Sequence, residues 1–199
     1  MSSIPFSATT TSGRSNGNME HPHPITRLLA TAILLIAAVS LEAEAGDRVE
    51  LAGDILQIVM PATAAGMTLG YGDGQGAFQF GESAALTLAV TYGLKCTVDA
   101  ERPDGGSQSF PSGHASLSFC SAEFIRKRYG WEYGLPSYAV ASFAAYSRVE
   151  ANKHYPRDVA AGAAIGILSS YFFTKPYKGW SVEPQVQANY CGFQLVKCW

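Results

Sequence analysis

Three short clusters constrain this chain more than anything else in it. Lys95 with Arg102-Pro103 forms the first, Pro111-Ser112-Gly113-His114 the second, and Ser147-Arg148 with His154 and Asp158 the third. Between them they hold two histidines, three cations and one carboxylate. Each falls at the end of an apolar stretch of helical length. A fold that unites them must therefore return several helix ends to one place. A helix that only packs has no use for these residue types. They suit a pocket that holds a phosphate and attacks it.

The apolar stretches set the fold class. Helices are predicted over residues 46–69, 77–94, 112–128, 135–148 and 157–174, separated by loops rich in Gly and Pro. In the first, Val49, Ala52, Leu56 and Val59 fall on one stripe after a polar start of Asp47, Arg48, Glu50 and Asp54. Pro61 is expected to kink it, and Gly81 to interrupt or bend the second. A turn is expected over Tyr129–Gly134. Val159, Gly162, Ala163 and Gly166 give the last helix a small-residue face for tight packing. From Trp180 to Trp199 the period changes to two, so a short β-hairpin is expected on an all-α body. With 47% hydrophobic and only 15% charged residues, the chain suits one helix-rich domain or one that meets a membrane. A formal net charge of −2, with no basic run longer than Arg126-Lys127-Arg128, gives no footprint for nucleic acid. The sequence carries no signal for oligomeric state.

The first third reads as address. Residues 1–18 are rich in Ser, Thr and Gly and read as disordered, or as a mis-annotated start with Met19 the alternative. Residues 19–45 have the form of a secretory signal. Arg27 precedes the apolar run Leu28–Leu41, and Ala43-Glu44-Ala45 is an A-x-A cleavage site before Gly46. The run falls short of the roughly 20 residues of a membrane span; an uncleaved first transmembrane helix is the alternative. Either way the chemistry lies outside the cytoplasm. Export permits disulfides. Of Cys96, Cys120, Cys191 and Cys198, the pair flanking a short C-terminal segment, Cys191 and Cys198, is the candidate bridge. Cys120 sits on an apolar helix as a small hydrophobe, and no spacing matches a metal site.

Charge explains the clusters. A transferring phosphoryl group spreads charge over three oxygens, so positioning and counter-charge dominate its catalysis. Lys95, Arg102 and Arg148 supply cations. Arginine's planar fork suits bidentate contact and lysine acts as a point charge. The helix opening at Ser112 turns free N–H groups outward, and Gly113 allows close approach of the backbone. His154 and Asp158 are four apart, so the carboxylate can orient one ring nitrogen and leave the other to attack phosphorus. His114 is placed to protonate the leaving oxygen. Singly, each feature is ordinary: a solvated cation, a helix cap, an i,i+4 pair. Their joint order and spacing are not.

That order resembles the type-2 phosphatidic acid phosphatase superfamily, which includes class A acid phosphatases and vanadium haloperoxidases. The family pattern K-x6-R-P, P-S-G-H, S-R-x5-H-x3-D is matched throughout. The resemblance implies an all-α bundle of five to six helices over residues 46–178, with 179–199 a tail. It implies that Lys95, Arg102, Ser112, Gly113 and Arg148 bind phosphate and that His154 is the nucleophile, forming a phosphohistidine. Asp158 would orient His154, and His114 would be the acid and then the base. It implies no metal and no cofactor. The expected activity is hydrolysis of phosphomonoesters, with lipid phosphates such as phosphatidate, lipid A or isoprenoid pyrophosphate as substrate. A broad-specificity soluble periplasmic acid phosphatase is the alternative, and a vanadium-dependent haloperoxidase a remoter one. The expected location is the periplasm, with membrane association; the alternative is an integral inner-membrane protein of six spans, counting Leu28–Leu41.

Overall fold

The computed structural model describes residues 45–177, 179–187 and 190–198, with side chains over 48–177. The expectations for residues 1–18, and for 19–44 of the signal, lie outside the described residues. Five helices follow in order: α1 (Ala45–Gly70), α2 (Gly74–Thr97), α3 (Gly113–Tyr129), α4 (Trp131–Glu150) and α5 (Pro156–Phe173). α3 is the hub and packs against all four others.

One expected break is absent and another is shorter than expected. Helix α2 runs unbroken through Gly81, because one glycine costs about 1 kcal/mol, too little to break a helix packed on its neighbours. The expected turn at Tyr129–Gly134 shrinks to a single residue. Gly130, with φ 101°, caps α3 and starts α4; a positive φ that glycine adopts without cost turns the chain in one step. At the site end, α4 closes on Asn152 in the left-handed region.

α1 buries an apolar stripe of Ala52, Leu56, Met60, Ala64 and Met67. Its lower half meets Phe80, Phe124 and Ile125 in the main cluster, where the rings of Phe80 and Phe124 lie 5.0 Å apart. α2 is built the other way round. It buries Gln79, Ser83, Thr87 and Thr91, four apart, and exposes Phe78, Leu86, Leu88, Val90 and Tyr92. Its inner hydroxyls find partners: Ser83 and Thr87 donate to carbonyls one turn back, and Thr91 to Ser116 Oγ of α3. Among the described residues no helix is long and apolar enough to cross a membrane.

α3 and α5 touch through backbone. A Cβ on Gly162 would overlap the carbonyl oxygen of Ser112, and one on Gly166 that of Ser116. These two glycines thus realise the small-residue face and draw the start of α3 onto the start of α5. The tail forms two antiparallel strands, β1 (Gly179–Gln187) and β2 (Tyr190–Cys198). The side chains of Cys191 and Cys198 lie outside the described ones, but both residues belong to β2. The expected bridge between them therefore lies outside the described side chains.

Candidate active site

The spacing of the third cluster is set by two helix caps. As α4 ends, the backbone N–H groups of Lys153 and His154 both donate to the carbonyl of Arg148, at 3.0 and 3.1 Å. This closes the turn through Asn152 and delivers His154 beside Arg148. α5 begins at once. Asp158 stands in its first turn and accepts the N–H of Tyr155 at 3.0 Å. The five- and three-residue gaps are thus the lengths of a helix exit and a helix entry.

The second cluster is tied to the third. The N–H of Ser112 donates to the carbonyl of Asp158 at 2.9 Å, and its hydroxyl caps α3 at Ala115. Ser112 is fully buried, so its side chain serves the helix, while Gly113 and His114 face a cavity. The first cluster arrives through the α2–α3 loop. Gln108, held at φ 57°, presents its carbonyl to Lys95 Nζ at 2.7 Å. Ser109 Oγ donates to Asp158 Oδ2 at 2.5 Å.

Lys95, Arg102, Gly113, His114, Arg148 and His154 all line one cavity of about 400 Å³. Seven of the eight expected polar and catalytic positions therefore meet at one end of the bundle, counting Asp158 directly behind His154. The exception is Ser112, whose part is architectural. One contact differs from expectation. His154 Nδ1 lies 3.9 Å from Asp158 Oδ2, beyond hydrogen-bond length, because Ser109 and Tyr155 already engage that oxygen. Asp158 faces His154 as a buried charge rather than as a bonded acceptor.

Electrostatics separate the two histidines. Burial pushes His154 down to about 4, with Lys95 and Arg102 adding to the effect and the Ser109 backbone and Asp158 opposing it. It is neutral, as a nucleophile must be. His114 is also lowered, by burial and then Arg148, but Asp54 opposes the shift. Lys95 is lowered by burial and then by Arg102. Among the described residues, no group of three or more His, Cys, Asp or Glu could hold a metal ion.

Sequence reasoning missed a fourth contributor, α1. Asp54 Oδ1 sits 2.9 Å from His114 Nε2 and accepts from Arg148 Nη1 at 2.7 Å. The carbonyl of Glu50 accepts from Arg148 Nη2. Lys153 spans the rim between Glu50 and Asp104, at 3.5 and 3.3 Å. Glu50 and Asp54 are visible in the sequence as the polar start of an otherwise apolar helix; nothing there says which residues they meet.

Known proteins resemble this chain in sequence and in fold. The family model described as PAP2 superfamily matches residues 76–180, over half of the chain. The lipid A 4'-phosphatase of Helicobacter pylori is 31% identical over 154 residues, 70% of this chain and 77% of that protein. The lipid A 1-phosphatase of Porphyromonas gingivalis is 40% identical over 95 residues, 43% of this chain and 21% of that protein. The crystal structure of Aquifex aeolicus LpxE shares the fold at a TM-score of 0.50 and 18% identity, over 70% of this chain and 92% of that one.

Proposed function

The chain belongs to the PAP2 superfamily, and from that premise we propose that it is a phosphatase of lipid phosphates, acting on lipid A at the extracytoplasmic face of a membrane. One observation carries the reading: all three clusters open into a single cavity with cations on its wall and a neutral, buried histidine among them. The names of the two relatives select lipid A within the lipid phosphates. The apolar outer face of α2 supports a lipid neighbour, since Phe78, Leu86, Leu88 and Val90 are exposed among the described residues.

Mechanistically, Lys95, Arg102 and Arg148 hold the phosphoryl oxygens together with the N–H groups that open α3. His154 Nε2, the ring nitrogen away from Asp158, attacks phosphorus. The bond to the leaving oxygen breaks, and that oxygen takes a proton from His114. Positive charge developing on His154 is stabilised by Asp158, which Ser109 and the N–H of Tyr155 hold in place. In the second step, neutral His114 removes a proton from water. The oxygen attacks the phosphohistidine, inorganic phosphate leaves, and His154 returns neutral.

The test uses the full chain with lipid A, phosphatidate and p-nitrophenyl phosphate, with phosphate loss followed by mass spectrometry and phosphate release. Lipid A in mixed micelles is expected to lose a phosphate faster than either comparison substrate. Turnover of the soluble ester alone would refute the lipid reading. Flotation with phospholipid vesicles checks the membrane location: the chain should rise with the vesicles, and recovery wholly at the bottom of the gradient would count against it.

A further inference from the structure

Helix α1 lies outside residues 76–180 and outside all three clusters, yet it reaches Arg148 and His114 by three separate devices. The carbonyl of Glu50 accepts from Arg148 Nη2. At Gly53 the helix presses against α4 so closely that a Cβ would overlap Ser147 Oγ and lie 2.5 Å from Arg148 Nη2. Asp54, the next residue, then places Oδ1 between Arg148 Nη1 at 2.7 Å and His114 Nε2 at 2.9 Å. Ser147 Oγ accepts from Arg148 Nε at 3.1 Å, so Nε, Nη1 and Nη2 of the guanidinium each have a protein partner. No other described carboxylate bonds to His114.

We propose that Asp54 is a positioning residue for the reaction, holding His114 as the imidazolium that protonates the leaving oxygen and fixing Arg148 beside it. The proposal rests on the reading of His114 as the general acid. The surroundings of that ring make a counter-charge necessary. Arg148 of α4 and Arg102 of the α2–α3 loop both act on it to lower its basicity. Lys95 of α2, with Lys153 and His154 beyond α4, adds further positive or protonatable groups around the same cavity. Asp158 stands behind His154 and Asp104 pairs with Lys153; the carboxylates that line the cavity itself are Asp54 and Glu50 of α1, and Asp54 is the one in contact with His114. Like charges expel a proton and an opposite charge retains it. Without Asp54, burial, Arg148 and Arg102 would lower the basicity of His114 with no carboxylate in contact to oppose them.

The experiment follows the imidazole of His114 by NMR titration of the full chain, assigned with His114→Gln, in wild type, Asp54→Asn and Asp54→Glu. Asp54→Asn keeps the shape and removes the charge. It should lower the midpoint of His114 by about one pH unit and leave that of His154 in place, while Asp54→Glu restores most of the shift. The alkaline limb of kcat for p-nitrophenyl phosphate should move down with it, so that turnover above the limb falls about tenfold. An unmoved His114 midpoint in Asp54→Asn overturns the proposal. So does tighter binding of inorganic phosphate to Asp54→Asn with kcat and its pH profile unchanged, which would make Asp54 an occupant of the phosphate site instead. The titration needs no turnover. A wild-type chain that hydrolyses nothing, yet shows the shift, would refute the phosphatase reading and leave the pairing of Asp54 with His114 established.

Discussion

Arg128 and Arg148 are equally buried, each 3% exposed, but their aspartates are not: Asp73 is 3% exposed and Asp54 is 49%. The two pairs stand at different groups of helix ends. Arg128 reaches Asp73 through Nε at 2.7 Å and Nη2 at 2.5 Å, and its Nη1 donates to the carbonyl of Lys175 at 2.8 Å. Asp73 also accepts from Gly76 N–H and Tyr129 Oη, at 2.9 and 3.1 Å. Burial alone would raise the carboxyl, but Arg128 and the Gly76 N–H hold it below its ordinary value. Every partner there is protein. At the other end Asp54 faces the open cavity. A sealed pair fixes where α2, α3 and the segment after α5 meet; an open pair leaves its ions within reach of a ligand. Between these two pairs, burial of the carboxylate differs and burial of the arginine does not.

The comparison can be broken at either end. The largest effect is expected at the open end, from His154→Ala. Turnover should fall by at least about 10⁴-fold, and the trappable phosphoenzyme should vanish, while the thermal midpoint stays near wild type. Residual phosphoenzyme in that variant would remove His154 from the nucleophile role. Next comes Asp73→Ala at the sealed end. Stripping the partner from buried Arg128 should cost about 3–5 kcal/mol of stability, read by denaturant unfolding, with kcat per folded molecule little changed. Equal losses of kcat and stability would erase the distinction between the ends.

The smallest effect is one of position on the pH axis. The folded-state value of His154 is about 4, below its ordinary 6.5, so the neutral form persists into acid. The acid limb of kcat/KM, corrected for the ionisation of the substrate, should therefore lie near pH 4. His114 is needed protonated and is also lowered from 6.5, so activity should already decline on the acid side of neutrality as pH rises. The optimum then lies on the acid side of neutral. The same depression of His154 makes stability rise with pH between about 4 and 6.5, because the unfolded chain binds the proton more readily there. A limb near pH 6.5 would show that burial does not set the nucleophile.

Much of the site was legible in the chain because its spacings are local. The gap from Arg148 to His154 is a helix exit, and the gap from His154 to Asp158 a helix entry, and both follow from which backbone groups a helix end leaves unpaired. Gly162 and Gly166 could be read as a packing face for the same reason of period. What escaped was non-local. Asp54 meets His114 across 60 residues and Arg148 across 94, and its own surroundings in sequence look like the solvated start of a helix. Ser109 resembles any loop serine until the loop folds back onto Asp158. The inversion of α2 escaped as well, because Gln79, Ser83, Thr87 and Thr91 mark one face at period four but do not say whether it turns in or out.

By itself, then, the sequence determined the helical class, the family and the set of groups that handle phosphate, since these depend on period, composition and short spacings. Only the tertiary structure decided that α1 joins the site, that Ser112 serves as a cap while Gly113 faces the cavity, and that Asp158 stands 3.9 Å from the ring it was expected to bond. These depend on helices meeting far apart in the chain. Such contacts are chosen by the packing of whole faces, here a missing Cβ at Gly53, Gly162 and Gly166, and no local rule encodes their partners.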